Sequence, residues 1–84
     1  MSGNLISDLQ TPISIKNVEE LGRYVRQVRN QQGMTQADIL GLANTGNRFI
    51  VELENGKTTV RLDKVLAVLD VLGLELLIRK KGSR

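Results

Sequence analysis

Residues 43 to 57 read ANTGNRFIVELENGK, and the order of polar and apolar side chains in this stretch decides the fold. After the turn ANTG the spacing predicts a helix from about Asn47 to Glu54, ended by Gly56, because glycine is common just past a helix end. At about 100° per residue, one face of this helix carries Phe49, Ile50 and Leu53. The opposite face carries Asn47, Arg48, Val51, Glu52 and Asn55. The stretch therefore predicts a short helix with an apolar inner face and a largely polar outer face.

Two helices are predicted before this stretch. Asn17 as N-cap, with Glu20 three residues later, forms a capping box for a helix that Gly33 ends. Thr35 caps the next helix, with Asp38 at the reciprocal position, and the pattern breaks after about eight residues. Helices this short are stable only when they pack on neighbours.

A fourth helix is predicted in TTVRLDKVLAVLDVLG, residues 58–73, capped by Thr58 or Thr59 and ended by Gly73. It has the strongest apolar stripe in the chain, which we assign to the core: Leu62, Val65, Leu66, Leu69 and Leu72.

The two ends of the chain are predicted to lack helix. Residues 1–12 are polar and end at Pro12, which predicts a mobile arm, and ISI at 13–15 forms a short strand if it finds a partner. LELLI at 74–78 predicts a strand, followed by a disordered basic tail. Because a lone strand leaves backbone groups unpaired, it pairs either with 13–15 or with the same strand of a second chain.

Composition excludes several classes of protein. With 84 residues the chain forms one small domain with a marginal core, which favours dimerisation. Cysteine and histidine are absent, so we expect no enzyme, no metal and no cofactor. No segment has the apolar length of a membrane span, and no signal peptide is recognisable, so we expect a cytoplasmic protein. The net charge of +3 is compatible with either a solvated surface or nucleic-acid binding.

Two short helices joined by a tight turn, the second with a polar face that begins at its N-terminus, form a helix-turn-helix. A helix that enters the major groove of DNA must offer hydrogen-bonding side chains from its first turns while its other face holds it on the domain. The predicted second and third helices meet both requirements.

The segment from Gly33 to Lys57 resembles the helix-turn-helix of the Cro/C1-type (Xre) regulators, whose pattern runs G-[LM]-T-Q, an apolar stretch, a turn, and an apolar pair before E-N-G-K. The segment TGNRFIVELENGKTTVRLDKVLAVLDVLGL further resembles the HipB-like antitoxins, small proteins encoded beside a HipA-like kinase toxin. The resemblance implies an all-α, lambda-repressor-like domain of four to five helices with a short C-terminal β-strand. Its parts would be an arm at 1–16, the DNA-binding domain at 17–73, and a dimerisation strand and basic tail at 74–84.

The resemblance also implies roles for individual residues. Base edges would be contacted by Asn47, Arg48 and Glu52. Phosphates of the DNA backbone would be contacted by Gln36, by the amide of Asn55 and by the side chain of Lys57. Gln36 would also brace the recognition helix. A structural salt bridge would join Arg29 to Glu54. The chemistry agrees for Arg48, which can bind guanine O6 and N7, and for Asn47, which can pair with adenine. Glu52 can accept from cytosine N4, or it can pair with Arg48 four residues earlier.

The sequence departs from the family pattern at three positions. Leu40 replaces an alanine where the two helices cross, which implies a wider crossing. Asn44 replaces the glycine of the turn, and asparagine tolerates the left-handed conformation. Gly46 replaces the usual Ser or Thr cap of the recognition helix, so we expect Thr45 to cap it instead.

The sequence leaves three functions to distinguish. As a HipB-like antitoxin, the protein would be a homodimer that binds a palindromic operator, represses its own operon and binds a HipA-like kinase. Dimerisation would use the fourth helix and the strand residues Leu74, Leu76 and Ile78. The alternatives are a solitary phage-type regulator and a toxin-binding module with little DNA affinity. The simplest competing hypothesis is a four-helix domain whose polar face is only solvated.

Overall fold

A computed structural model of the chain describes residues 12–46 and 48–82, which form four α-helices. Helix α1 runs Val18–Gln31, α2 Gln36–Ala43, α3 Phe49–Glu54 and α4 Leu62–Val71. Helix α1 packs against α3, and α2 packs against both α3 and α4. Asn47, residues 1–11 of the predicted arm and residues 83–84 of the predicted tail lie outside the described residues. Within the described ranges no helix is long and apolar enough to cross a membrane.

The predicted starts of α1 and α2 are confirmed. Asn17 Oδ1 accepts the Glu20 N–H at 2.8 Å, but the Glu20 carboxylate accepts the Lys16 N–H at 2.9 Å. The return bond of the box therefore lies one residue before the predicted one. In α2 the box is complete, because Thr35 Oγ1 accepts the Asp38 N–H at 3.0 Å and Asp38 Oδ2 accepts the Thr35 N–H at 2.8 Å.

The predicted glycine ends of α1, α3 and α4 are also confirmed. The φ angles are 70°, 81° and 75° at Gly33, Gly56 and Gly73. Helix α2 ends instead at Asn44, which adopts φ 55° and ψ 47° and so takes the left-handed conformation predicted for it. Such residues let the chain turn sharply after a helix while its last carbonyls stay bonded.

The core is built from apolar side chains of all four helices: Val25, Val28, Ile39, Phe49, Ile50, Leu53, Val65, Val68, Leu69 and Leu72. The predicted inner face of α3 is confirmed, because Ile50 and Leu53 are 1% and 0% exposed. Gln32 Nε2 donates to the carbonyl of Leu72 at 2.8 Å and ties the end of α1 to the end of α4. The core thus holds α3 by its apolar face.

Helix α4 does not begin where the sequence predicts. It starts at Leu62, after Arg61 in an extended conformation, and neither Thr58 nor Thr59 caps it. Val60 packs partly buried against the core. The chain after α3 is therefore used to cover the core before the helix begins.

The apolar stripe of α4 is also different from the prediction. Leu62 and Leu66 are 62% and 41% exposed, so they are not core residues. The buried residues of this helix and its C-cap follow the spacing of a single face: Val65, Val68, Leu69 and Leu72. Since Leu66 lies about 100° around the helix from Val65, it falls beside this face. The single chain leaves these two leucines in solvent.

Helix α3 begins at Phe49, two residues later than predicted, and Thr45 does not cap it. Gly46 adopts φ 95° and turns the chain just before the helix. Thr45 is 2% exposed, and its hydroxyl has no hydrogen-bond partner among the described atoms. The turn thus places Thr45 in the interior without a hydrogen bond to α3.

The C-terminal segment forms no strand within the part of the chain that the structure describes. Residues 74–80 have no regular secondary structure and do not pair with 13–15. Leu74 packs partly buried against the core, whereas Leu76 and Ile78 are 54% and 93% exposed. Pairing within one chain is therefore wrong, and a strand shared by two chains stays a prediction.

Candidate functional site

A buried ion pair fixes the end of α3. Arg29 Nε donates to Glu54 Oε2 at 2.7 Å and Nη2 donates to Oε1 at 3.0 Å, with side-chain exposures of 10% and 2%. Arg29 Nη1 also donates to the carbonyl of Met34 at 2.8 Å. Gln36 Nε2 donates to Glu54 Oε1 at 3.0 Å. This cluster joins the end of α1, the first residue of α2 and the end of α3, and it contains the Arg29–Glu54 salt bridge that the family resemblance implies.

The contacts within the cluster favour the charged form of Arg29. Hydrogen bonding of the Arg29 guanidinium to the Glu54 carboxylate raises the pKa of Arg29 above its ordinary value and outweighs the opposing effect of burial. Bidentate guanidinium–carboxylate pairs of this kind are directional as well as strong. The pair therefore defines the orientation of α3 relative to α1.

A close backbone contact also locates α3. A Cβ at Gly22 of α1 would lie 2.1 Å from the carbonyl oxygen of Leu53 and 3.2 Å from the carbonyl carbon of Glu54. At the end of α3, a Cβ at Gly56 would lie 2.8 Å from Cγ of Glu19. Gly22 was not predicted to have a role, although a glycine inside a helix costs about 1 kcal/mol and so signals a packing requirement. The tight crossing is between α1 and α3.

The outward face of α3 matches the predicted one in its described residues. Arg48 and Asn55 are exposed, Glu52 is partly exposed and Val51 is 41% exposed. Asn47, the remaining predicted base-contacting residue, lies outside the described residues. The surface thus combines a guanidinium, a carboxylate, an amide and one apolar side chain.

Glu52 pairs with Lys57, and no ion pair with Arg48 is formed. The distance from Lys57 Nζ to Glu52 Oε2 is 3.3 Å, with 49% and 36% of the side chains exposed. An exposed pair of this kind contributes at most about 1 kcal/mol and can be broken by a competing anion. Lys57 is therefore held beside α3 and is available to a stronger anionic partner.

The backbone around Asn55 is already used. The Asn55 N–H donates to the carbonyl of Val51 at 3.0 Å, and the Lys57 N–H donates to the carbonyl of Glu52 at 3.0 Å. Asn55 and Lys57 are exposed, so their side chains can meet an external ligand. Gln36 keeps one amide hydrogen and its carbonyl oxygen beyond the bond to Glu54.

Two further basic residues, Arg61 and Lys64, lie close to the outward face of α3, and neither was predicted as part of the site. They line one shallow groove together with Arg48, Phe49 and Glu52. Lys64 Nζ lies 5.9 Å from the centroid of the Phe49 ring. Arg61 Nη2 donates to Asp63 Oδ2 at 2.6 Å, and this bond lowers the pKa of Asp63. The two basic residues are visible in the sequence VRLDK, but the apolar spacing of that segment predicts core packing.

Two comparisons with known proteins agree with this geometry. A family model described as a helix-turn-helix domain matches residues 20–77, which include α2, α3, α4 and most of α1. The chain is also 44% identical over 70 residues to a protein of Sinorhizobium fredii (strain NBRC 101917 / NGR234) named as the uncharacterized HTH-type transcriptional regulator y4mF. That alignment covers 83% of this chain and 92% of the relative.

Proposed function

Because the chain belongs to the helix-turn-helix domain family, we propose that it is a sequence-specific DNA-binding repressor that acts on its own operon. A regulator of this family binds DNA, and it acts in the cytoplasm, where the nucleoid lies. The observation that carries the proposal is the buried contact of Glu54 with Arg29 and Gln36, because it holds a short helix rigidly with a hydrogen-bonding face outward.

The proposed base contacts come from the outward face of α3. Arg48 is the reader of guanine, since a guanidinium can donate to O6 and N7 together, and such a contact contributes about 1–3 kcal/mol of discrimination. Asn47 is assigned to adenine by the same reasoning. Glu52 is assigned to cytosine N4, which it can reach once a phosphate draws Lys57 away from it.

The residues proposed to contact phosphates are separate from those proposed to contact bases. Gln36 lies at the first turn of α2, where the free N–H groups of a helix N-terminus favour an anion. The exposed side chains of Asn55 and Lys57 lie just past the end of α3. Arg61 and Lys64 add positive charge in the groove that they share with Arg48 and Glu52.

Salt dependence tests this proposal. Release of phosphate counterions should make affinity for duplex DNA fall steeply with salt, with a slope of about −0.9 for each phosphate neutralised. Fluorescence anisotropy with DNA from upstream of the gene, at rising potassium chloride, measures the slope. Lys57→Ala should reduce its magnitude by about one per site. Affinity that stays constant as the potassium chloride concentration rises would reject DNA binding and favour the protein-interaction module.

We also propose that the protein acts as a homodimer on a palindromic operator. The support is the apolar surface that one chain leaves exposed on α4 and the following segment: Leu62, Leu66, Leu76, Leu77 and Ile78. These residues include the predicted dimerisation residues Leu76 and Ile78. Leu74, which was predicted with them, packs partly buried against its own core, so its contribution to a dimer is smaller.

Sedimentation equilibrium tests the dimer. Leu66→Glu should shift the protein to monomers, because a carboxylate cannot be buried without a partner. Leu42→Glu is the matched control, since Leu42 is 66% exposed on α2. Deleting residues 75–84 removes the proposed strand and keeps Leu74 on the core. A dimer that persists in both the Leu66 variant and the truncated chain would contradict this assignment.

The finer role we propose is that of an antitoxin or co-repressor partnered by a HipA-like kinase. It is supported by the resemblance of residues 45–74 to the HipB-like branch. The test is whether a kinase-like reading frame adjoins the gene and whether its product co-purifies with this chain. A gene with no such neighbour would favour the solitary phage-type regulator.

A further inference from the structure

We infer that Val51 reads the C5-methyl group of a thymine in the major groove, an assignment that rests on the proposed DNA-binding function. Val51 is 41% exposed, whereas Phe49, Ile50 and Leu53 of the same helix are at most 8% exposed. Within α3, Val51 is therefore the apolar side chain that the core does not use. It lies on the face assigned to DNA.

The position of Val51 on the helix places it beside Arg48, the residue proposed to contact guanine. Arg48 and Val51 are three residues apart, and side chains at this spacing are neighbours on a helix surface, with Cβ atoms about 5–6 Å apart. Neighbouring base pairs are separated by about 3.4 Å along the duplex. When Arg48 contacts a base edge, Val51 therefore faces the same base pair or the next one.

The chemistry of the groove leaves one natural partner for this side chain. The base edges of the major groove present donors, acceptors and the C5-methyl group of thymine, which is their one apolar substituent. The isopropyl group of Val51 can cover that methyl and exclude water from it. Because a valine in a helix holds one χ1 rotamer about 90% of the time, the contact would order very little.

A single exposed apolar residue is common on protein surfaces and by itself has no meaning. Val51 differs because its neighbours on the outward face, Arg48, Glu52 and Asn55, are polar, so it does not extend an apolar patch along α3. Valine is also a weaker helix former than alanine or lysine, and α3 has only 6 residues. Helix formation therefore does not account for a valine here.

The test uses a duplex selected from a random library by the full-length chain. Each thymine is replaced in turn by deoxyuridine, which removes the methyl group and leaves the base pairing intact. Affinity should fall about fourfold at one thymine of each half-site, the effect of exposing about one buried methylene or methyl group. Val51→Ala should reduce the penalty at that thymine, because alanine keeps only one methyl group to contact it, and leave the effect of deoxyuridine elsewhere unchanged.

Leu42→Ala is the control, because Leu42 is exposed at the far end of α2 from Gln36 and should keep the wild-type profile. Thermal melts confirm that each variant is folded. A wild-type profile retained by Val51→Ala, or a wild-type chain indifferent to deoxyuridine at every position, would overturn the inference while DNA binding stood. Failure of the wild-type chain to bind any selected duplex would reject the proposed function, and this inference with it.

Discussion

Replacing Gly22 with alanine should destabilise the protein and displace α3, although alanine is the better helix former. The new methyl carbon would lie 2.1 Å from the carbonyl oxygen of Leu53. Since a carbon and a carbonyl oxygen rarely approach closer than about 3.3 Å, α1 and α3 must separate by about 1 Å. The obstacle is backbone, so no side chain can rotate to relieve it.

The size of the effect follows from two opposing contributions. Overpacking costs about 1–3 kcal/mol, and a rigid backbone obstacle places Gly22→Ala near the upper value. The higher helix propensity of alanine returns about 1 kcal/mol. The net loss is about 2 kcal/mol, which corresponds to a fall in Tm of about 8–16 °C for a domain of this size.

Gly41→Ala is the matched control, because it also lies inside a helix and its Cβ would meet no atom within 4 Å. It should raise stability by up to about 1 kcal/mol. Calorimetry or circular dichroism measures both variants. A Gly22→Ala protein that melts at or above the wild-type temperature would refute the close packing of α1 on α3.

Further substitutions at three sites test other contacts. Glu54→Gln should cost about 3–5 kcal/mol in urea unfolding, because it leaves Arg29 buried without a counter-charge. Changing Arg29 to Met together with Glu54 to Leu should cost less than the sum of the single changes, and simple additivity would argue against coupling. Asn44→Ala should cost about 1–2 kcal/mol at its positive φ while Asn44→Gly is nearly neutral, and equal losses would contradict the left-handed turn. Glu52→Gln should raise affinity for unrelated duplexes in anisotropy titrations by freeing Lys57, and an unchanged affinity would show that their pair does not compete with DNA.

Local signals in the sequence were sufficient to place the starts of α1 and α2 and the ends of α1, α3 and α4. The boxes at Asn17 and Thr35 and the glycine after each of three helices act within a few residues, so they can be recognised without knowledge of the fold. The start of α4 could not be predicted in this way, because Val60 packs against the core and Arg61, which follows it, is extended. Its position depends on residues distant in sequence.

Packing against distant residues also explains why part of the site was missed. Periodicity alone could not distinguish the buried Val65 from the exposed Leu66, since a helix with apolar residues on several sides has no unique inner face. The contact of Gly22 with Leu53 joins two helices that the sequence separates widely. The outward face of α3 could be predicted from sequence because the apolar residues of this six-residue helix fall largely on one side at helical spacing.

The most direct test of the central claim compares base preference in two variants. Affinities for every single-base change in the selected duplex are measured for the wild type, Arg48→Ala and Lys57→Ala. Arg48→Ala should lose about 1–3 kcal/mol of discrimination at one position of each half-site, whereas Lys57→Ala should weaken binding to all sequences evenly. Profiles that change in the same way for both variants would contradict the claim that α3 reads the DNA sequence.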